Sequence, residues 1–280
     1  MAARFPALAR AALAGLEAIV VPALLSAQAA SPKPLLEASV WGAYTTFSDP
    51  PTVGTSSKDA GAGIRTAELA VWPSAEFRIF GRYDNSLSLD NLTLVRAGRR
   101  VPTWIGGTLF NWSGRFTTVL EAGHRTLPGR VGQTIIGGEQ VVYSRSGVAF
   151  KAGGRLYPSS DSRTEWMLHG GVNFPLGAGI RIEPTFFYSR TGIAGESQWR
   201  GLLAANARAG RLELNGGVAR GHNTSVNGLY TGGVWDLFAG VWVPLGGFHR
   251  ANLMVRHESA AGASRLTSVS AGFTLGIPRP

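Results

Sequence analysis

Long runs of alternating apolar and polar residues are the feature that most constrains this chain. In residues 165–174, the even positions are Trp, Leu, Gly, Val and Phe, whereas the odd positions are Glu, Met, His, Gly and Asn. The same alternation recurs in residues 180–188, 212–218, 250–256 and 269–277. A period of two residues is typical of a β-strand with one apolar and one polar face. The chain is therefore predicted to be rich in strands.

The length of these runs indicates which kind of sheet they form. Most contain about 10 to 12 residues, and they lie at approximately 35–47, 63–72, 75–84, 103–112, 115–124, 133–143, 147–157, 165–174, 179–190, 198–208, 211–220, 233–243, 248–258 and 266–277. Strands of globular proteins average about 5–6 residues, whereas a tilted strand that crosses a bilayer needs about 9–11. The lengths favour a membrane β-barrel.

The connections between the runs alternate between short and longer segments. Residues 73–74, 113–114 and 209–210 are tight, whereas residues 48–62 and 85–102 are long. Tight turns in the periplasm and longer loops outside are typical of bacterial outer-membrane barrels, and an even strand number returns both termini to the periplasm. We predict an all-β fold, an up-and-down antiparallel transmembrane β-barrel of about 14 strands, with 12 or 16 as alternatives.

One further segment, residues 87–95, also contains apolar residues that could form a strand. Counting it alone gives fifteen strands and puts the termini on opposite sides of the membrane. We therefore assign it to an outer loop.

The N-terminal residues 1–29 have the features of a secretion signal. Arg4 and Arg10 form a basic start, residues 18–25 are apolar, and the segment ends at Ala29 in a small-x-small pattern. An amphipathic first helix is the alternative. The predicted organisation is a signal peptide at 1–29, a short periplasmic segment at 30–34 and an outer-membrane barrel at 35–280.

Composition excludes several other classes. The chain has no Cys, so neither a disulfide nor a lipid-modified cysteine anchor is available. After the leader, no stretch of about 18 uninterrupted apolar residues predicts a transmembrane helix. The formal charge is +10, but the basic residues alternate with apolar ones along strands and form no continuous patch. Nucleic acid is therefore not a predicted partner.

Tryptophan placement gives a separate indication of a membrane. Seven of the eight Trp fall at the ends of predicted strands: Trp72, Trp104, Trp112, Trp166, Trp199, Trp235 and Trp242. Amphipathic rings prefer the headgroup level, so these residues are predicted to form two aromatic girdles. A soluble β-sandwich is the alternative, but its core Trp would be expected near strand centres.

If the apolar faces meet lipid, the polar faces line the barrel interior. The predicted lumen-lining residues are Arg78, Arg82, Arg115, Lys151, Arg155, Arg181, Glu183, Arg200, Arg250 and Arg256. One interpretation is that cross-strand ion pairs satisfy a polar interior and leave little free lumen. The other is an anion-favouring conduit, because Arg residues raise the local concentration of negatively charged solutes. The sequence leaves both open.

Catalytic and metal-binding constellations are weakly represented. His257 and Ser259 resemble the His-x-Ser arrangement of outer-membrane lipid A deacylases, but no carboxylate is specified to orient the His. Asp84 and His124 are the pieces of an omptin-like Asp-His pair, and they belong to separate hairpins. The His residues lack metal-ligand spacing, and no phosphate-binding loop or dinucleotide motif is present. No enzyme activity, metal or cofactor is predicted.

Residues 35–277 resemble bacterial outer-membrane β-barrels as a class, and segment 80–85, Phe-Gly-Arg-Tyr-Asp-Asn, is similar to YaiO-like barrels, a family without an assigned activity. The resemblance implies a bacterial outer-membrane location, with outer-membrane lipid and the assembly machinery as partners. The last strand departs from the usual terminal aromatic residue, because Phe273 is followed by Leu275, Ile277 and a Pro-Arg-Pro tail.

Three functions are compatible with these patterns. The leading hypothesis is a non-enzymatic outer-membrane barrel that acts as a narrow channel or as a surface-exposed structural protein. The second is a barrel that participates in the export of an anionic polysaccharide or another polymer, which the excess of inward Arg motivates. The third is an outer-leaflet lipid-modifying enzyme that uses His257 and Ser259.

Overall fold

Fourteen antiparallel strands form one closed barrel in the described part of the chain. The computed structural model describes residues 33–48, 61–85, 102–127, 130–161, 164–177, 179–190, 197–224, 231–260 and 265–279. The strands are β1 (Leu36–Ser48), β2 (Gly61–Val71), β3 (Phe77–Asp84), β4 (Thr103–Trp112), β5 (Phe116–Leu127), β6 (Val131–Tyr143), β7 (Ala149–Pro158), β8 (Thr164–Gly177), β9 (Ile180–Arg190), β10 (Ser197–Ala209), β11 (Leu212–Thr224), β12 (Thr231–Gly246), β13 (His249–Ala260) and β14 (Arg265–Ile277). The predicted fold class is confirmed. The predicted leader at 1–29 and the segment 87–95 lie outside the described residues.

Each strand pairs with its neighbours in sequence, and β1 pairs with β14 to close the barrel. The closing register runs from Leu36 opposite Ile277 to Ser48 opposite Arg265. The C-terminal tail is also held, because the Arg279 guanidinium donates a hydrogen bond of 2.6 Å to the carbonyl of Trp72. Within the described residues, no helix is long and apolar enough to cross a membrane.

The connections at the end of the barrel that carries both chain termini contain two to five residues. Those at the opposite end are generally longer, as the sequence predicts. One is shorter than the sequence pattern indicates: β5 and β6 are joined by residues 128–130, whereas the apolar–polar runs at 115–124 and 133–143 leave residues 125–132 between them. Cross-strand pairing continues to Leu127 opposite Val131 and shortens this connection.

Two strands extend farther than their apolar pattern. The sequence places Pro175 and Pro244 in turns, whereas the structure includes them in β8 and β12. In both strands the register shifts immediately after the proline, between Pro175 and Gly177 and between Pro244 and Gly246. Proline has no N–H for the sheet, so it is tolerated at such irregular positions. The sheet pairing therefore continues past each proline.

The outer face of the wall carries the large apolar side chains. Leu120, Leu168, Phe186, Leu253 and Val269 are all exposed, on strands spread around the barrel. An apolar surface of this extent on all sides needs a hydrocarbon environment, because soluble proteins rarely expose large contiguous apolar patches. The wall thus has the surface of a membrane-spanning barrel.

The interior also contains an apolar cluster, which the sequence analysis did not predict. It runs along the inner wall from β2 to β12 and consists of Ala70, Phe80, Ile105, Ile135, Tyr157, Met167, Phe187, Leu202, Ala219 and Phe238. These side chains are buried against one another and against the stems of charged residues. The inner wall at this level therefore carries apolar as well as charged side chains.

Candidate functional site: the barrel interior

The structure places nine of the ten predicted lumen-lining residues on the interior face of the wall. Arg78, Lys151, Glu183, Arg200 and Arg256 are buried there, and the half-buried members are Arg82, Arg155, Arg181 and Arg250. Arg115 is different, because it lies in the turn between β4 and β5 with an exposed side chain. The pattern of alternation could not separate Arg115 from the strand positions, since it falls one residue before β5.

Arg78 joins three neighbouring strands near the end of the barrel that carries the termini. Its guanidinium contacts the carboxylates of Glu68 on β2 at 2.5 Å and Glu37 on β1 at 3.3 Å. Arg250 on β13 approaches the other oxygen of Glu37 at 4.0 Å. These contacts connect the first strands to the last across the closing seam.

Glu121 on β5 is the centre of a second charged group. It forms an ion pair with Arg155 on β7 and lies 3.9 Å from Arg82 on β3. All three side chains are at most 12% exposed. The group therefore spans five adjacent strands along the inner wall.

Lys151 and Arg256 form two further buried ion pairs. Lys151 on β7 pairs with Glu183 on β9, whose second oxygen accepts a hydrogen bond of 2.9 Å from Asn173. Arg256 on β13 makes a two-point contact with Asp236 on β12, with Nε and Nη2 at 3.0 and 2.5 Å from the two carboxylate oxygens. A bidentate geometry of this kind is the strong form of an Arg–carboxylate pair.

Several interior polar residues were missed by the sequence analysis. Glu139 on β6 contacts the His169 Nε2 atom at 2.8 Å, and Arg125 donates to the side-chain oxygen of Gln133 at 2.6 Å. Both faces of β6 carry apolar residues, so the alternation does not identify Glu139 and Gln133 as inward. Asp236 escaped detection for a similar reason, since the inward face of β12 also carries the apolar Phe238 and Trp242. A search for acidic residues diagonal to the inward Arg residues on the neighbouring strand would have found it, because Arg256 lies opposite Phe238, two residues from Asp236.

Inward-facing glycines allow the charged side chains to lie along the wall. A Cβ atom at Gly137 on β6 would stand 2.8 Å from Arg155 Cγ and 2.9 Å from Glu121 Oε1. At Gly153 on β7 it would stand 2.7 Å from the His169 ring. The ion pairs that join alternate strands thus cross over a strand that has no side chain at that point.

The Asp84–His124 pair is not assembled. Asp84 lies on the inner face of β3, whereas the exposed His124 lies on the outer face of β5, as their registers with Thr103 and Trp104 require. His257 is on the outer face of β13, and its Nδ1 lies 2.9 Å from the Thr267 hydroxyl. The side chain of Ser259 lies outside the described residues. Within the described residues, no group of three His, Cys, Asp or Glu side chains is placed to hold a metal ion.

The Trp residues divide into two sets. Trp104, Trp112, Trp199 and Trp235 are exposed on the outer face. Trp166 packs on the outward Tyr188 with a ring-centroid distance of 5.4 Å.

Trp72 and Trp242 do not take the girdle position that the sequence analysis gave them, because they point inward and are 2% and 5% exposed. Both rings lie under cations. The Lys33 ammonium is 5.2 Å from the Trp72 ring centroid, and the Arg250 guanidinium carbon is 4.8 Å from that of Trp242. Cation–π attraction and burial hold these rings inside the barrel.

Comparisons with known proteins give the class of the fold. No protein-family model matches the chain, and no curated protein matches it. Among solved structures, a bacterial polysaccharide outer membrane secretin shares 13% identity, covers 87% of this chain and 99% of its own, and has a TM-score of 0.54. An outer membrane channel from Pseudomonas putida F1 shares 8% identity, covers 88% of this chain and 96% of its own, and has a TM-score of 0.51.

The chain therefore has the fold of bacterial outer-membrane β-barrels. Together with the exposed apolar side chains on the outer face of the wall, this fold places the protein in the bacterial outer membrane.

Proposed function

We propose that the protein is a non-enzymatic outer-membrane barrel that acts as a narrow channel with a constriction formed by interior ion pairs. The observation that carries this proposal is the set of charged side chains that pair across the inner wall while almost completely buried. The side chains of Arg78, Lys151, Glu183 and Arg256 are all at most 7% exposed. Little water reaches these side chains, so we expect the path between them to be narrow.

The constriction is held in place by its own pairing. Glu121, for example, has a cationic partner on either side, Arg82 and Arg155. Removing one member of a buried pair leaves an uncompensated charge, which typically costs about 3–5 kcal/mol. The side chains are thus expected to keep their positions, and any conduction is expected to be small.

An excess of basic residues supports a preference for anions. Among the described residues, the buried basic side chains are Lys33, Arg65, Arg78, Arg125, Lys151, Arg200 and Arg256, and the buried acidic ones are Glu139, Glu165, Glu183 and Asp236. Seven cations against four anions make the interior potential positive, even though the individual groups have partners. A positive interior raises the local concentration of small anions.

Single-channel recording in planar bilayers tests the proposal. The wild-type barrel is expected to show a small conductance with a reversal potential that favours anions. The triple variant Arg82→Ala, Glu121→Ala, Arg155→Ala removes the Glu121 carboxylate together with both of its arginine partners, and it is expected to conduct more. Leu120→Ala on the outer face of β5 is the matched control. A large wild-type conductance would contradict the constriction, and no current from either protein would favour a surface-exposed structural role.

Export of an anionic polysaccharide or another polymer is the second candidate. The interior excess of cations favours it, and a solved structure with the same fold is described as a polysaccharide outer membrane secretin. A polymer strand is wider than the packed interior, so this function requires the side chains of the constriction to move apart. The test is current block in the triple variant: sulfated dextran is expected to block the current, and neutral dextran of equal size is not.

The absence of catalysis is part of the proposal. His257 faces outward and contacts Thr267, so its Nδ1 is engaged by a hydroxyl and not by an orienting carboxylate. A Ser–His nucleophile needs that carboxylate. Ser259→Ala is therefore expected to leave the acylation pattern of outer-membrane lipids in producing cells unchanged, which mass spectrometry of extracted lipid A measures.

We also propose that residues 1–29 are removed on export and that the similarity to YaiO-like barrels reflects relatedness. Outer-membrane lipid and the barrel assembly machinery are the partners expected of such a protein. N-terminal sequencing of the protein isolated from outer membranes tests the first point, and the sequence expected begins at Ala30.

A further inference from the structure

A groove on the outer face of the barrel differs from the rest of the lipid-facing wall. It extends over β8 to β12, has a volume of about 630 Å³ and is lined mainly by apolar side chains and glycine backbone. Small-molecule sites typically measure about 300–1,000 Å³. The groove is thus large enough to hold part of a lipid molecule in a defined position.

The cross-strand register explains why a groove forms here. One row of outward residues runs across five strands in the order Gly170, Phe186, Gly201, Arg220 and Trp235. A Cβ atom at Gly170 or Gly201 would have no neighbour closer than 3.7 Å. The two glycines therefore leave depressions on either side of the Phe186 ring, and Leu203 forms the continuation of the groove in the next row.

Arg220 gives this groove a charge. It lies on the outer face of β11, four residues before the strand ends at Thr224, on the side of the longer connections. Its guanidinium carbon is 4.9 Å from the centroid of the Trp235 ring, which holds the side chain at the level of the aromatic girdle. His222 follows on the same face, one row nearer the end of the strand. A cation in this position is expected at the headgroup level and is costly deeper in the hydrocarbon.

We propose that the groove binds a phosphorylated lipid of the outer leaflet, with an acyl chain between Gly170 and Gly201 and the phosphate at Arg220. The apolar walls suit a hydrocarbon chain, and a guanidinium at the mouth complements an anionic headgroup. Guanidinium groups bind phosphate oxygens through two parallel hydrogen bonds. This geometry neutralises the phosphate charge and also orients the phosphate. This site is on the opposite face of the wall from the constriction.

Two variants test the two halves of the site. Arg220→Gln removes the cation, and Gly201→Leu fills the groove at a position where a side chain meets no close neighbour. The matched controls are Arg145→Gln in the exposed turn between β6 and β7, and Gly81→Leu, an outward glycine of β3 with nothing within 4 Å of an added Cβ. The full protein is isolated from outer membranes in detergent and incubated with diphosphorylated lipid A or with its dephosphorylated form. Native mass spectrometry then measures the lipid that stays bound.

Wild type and both controls are expected to retain diphosphorylated lipid A more strongly than its dephosphorylated form. A basic residue near an anionic surface contributes about 1 kcal/mol, so Arg220→Gln is expected to weaken retention roughly fivefold. Gly201→Leu is expected to weaken it for both lipids.

Equal retention of the two lipids by wild type would overturn the assignment of the phosphate to Arg220. Retention by Gly201→Leu at the wild-type level would overturn the assignment of the acyl chain. Competition by inorganic phosphate at the same concentration as the lipid would mean an anion site without a lipid groove. A dimer that forms in wild type and is lost in Gly201→Leu would mean that a second copy, and not a lipid, occupies the groove.

Discussion

A glycine that faces the barrel interior determines whether charged side chains on the adjacent strands can meet. Gly153 on β7 lies between Glu139 on β6 and His169 on β8, which are 2.8 Å apart at their polar atoms. Any Cβ at this position would stand 2.5 Å from the Gly138 carbonyl oxygen. The contact between β6 and β8 thus depends on the absence of one methyl group on β7.

Gly153→Ala is expected to destabilise the barrel by about 1–3 kcal/mol, because overpacking displaces the backbone or the His169 ring. Gly170→Ala is the matched control on β8: it faces outward, where the nearest atom would be 3.7 Å away, and its effect is expected to stay within about 0.5 kcal/mol. Urea unfolding of the refolded proteins in lipid vesicles measures both. Similar losses at the two positions would contradict the crossing of side chains over Gly153.

The buried side chain of Lys33 is expected to make the free energy of unfolding depend on pH. Burial removes its ammonium group from water and lowers its pKa from 10.5 to about 8, and Arg250 and Arg78 lower it further while Glu37 opposes the shift. Between about pH 8 and 10.5 the unfolded chain therefore binds more protons than the folded one, so the free energy of unfolding increases with pH in this range. Below about pH 7 both states are protonated and the dependence vanishes.

The measurement is the difference in urea midpoint between wild type and Lys33→Met at pH 7 and at pH 10. The wild-type protein is expected to gain stability relative to Lys33→Met as the pH is raised, because the variant has no ammonium group to desolvate. A difference that stays constant, or that decreases with pH, would mean that the ammonium group is not buried.

At the scale of the strand, the facing of alternate residues determines which substitutions the barrel accepts. In β14, Val269 is exposed on the outer wall, whereas Ser270 is half-buried inside and lies opposite Met254 of β13. Both residues are near the middle of the strand, so they differ in facing and not in depth.

Val269→Arg is expected to destabilise assembly by roughly 2–4 kcal/mol, because it places a charge in the hydrocarbon near the bilayer midplane. Ser270→Arg points toward the polar interior and is expected to cost less. The yield of heat-modifiable barrel in outer-membrane fractions measures the difference. If Ser270→Arg is the more harmful variant, the inner and outer faces of β14 have been exchanged.

For some strand residues, the alternation of apolar and polar residues does not predict which face of the barrel wall they occupy. It located β8 and β9 because each has one apolar and one polar face. It did not reveal that Trp72 and Trp242 point inward, since a Trp at a strand end suits either a headgroup layer or a buried position beneath a cation. The choice depends on Lys33 and Arg250, which come from other segments of the chain.

At the scale of the whole molecule, closure of the barrel removes every unpaired strand edge. The seam joins β1 and β14, which are far apart in sequence, and Val40 lies directly opposite Phe273 on the outer wall. Leu275 is two residues farther along β14 on the same face, opposite Ala38. On the outer wall of the seam, Val40 is therefore directly opposite Phe273 and diagonal to Leu275.

The double variant Val40→Cys, Phe273→Cys is expected to form a disulfide on mild oxidation, because directly opposed residues have Cα atoms about 4.5–5.5 Å apart and a disulfide accepts about 4.4–6.8 Å. Val40→Cys with Leu275→Cys is the control, since a diagonal pair lies at about 7–8 Å. The chain has no native Cys to interfere. Electrophoresis with and without reductant detects the cross-link. Preferential linking of the diagonal pair would mean a different register at the seam.

The sequence by itself determined the all-β architecture, an even strand number of about 14 and the approximate bounds of most strands. It could do so because a strand that crosses a bilayer needs a minimum length and a single apolar face. Both properties can be recognised in one continuous stretch of sequence. It also identified most of the inward Arg residues, since they occupy the polar positions of strands such as β7 and β9.

Only the tertiary structure decided how the interior charges pair. That outcome depends on which side chains meet across the wall, such as Arg82 with Glu121 and Lys151 with Glu183, and on the glycines over which they cross. The same is true of the groove beside Arg220, whose residues come from five strands and become neighbours only through the register. Alternation specifies the face on which a residue lies, but contacts between strands depend on closure, register and side-chain reach, which no local pattern contains.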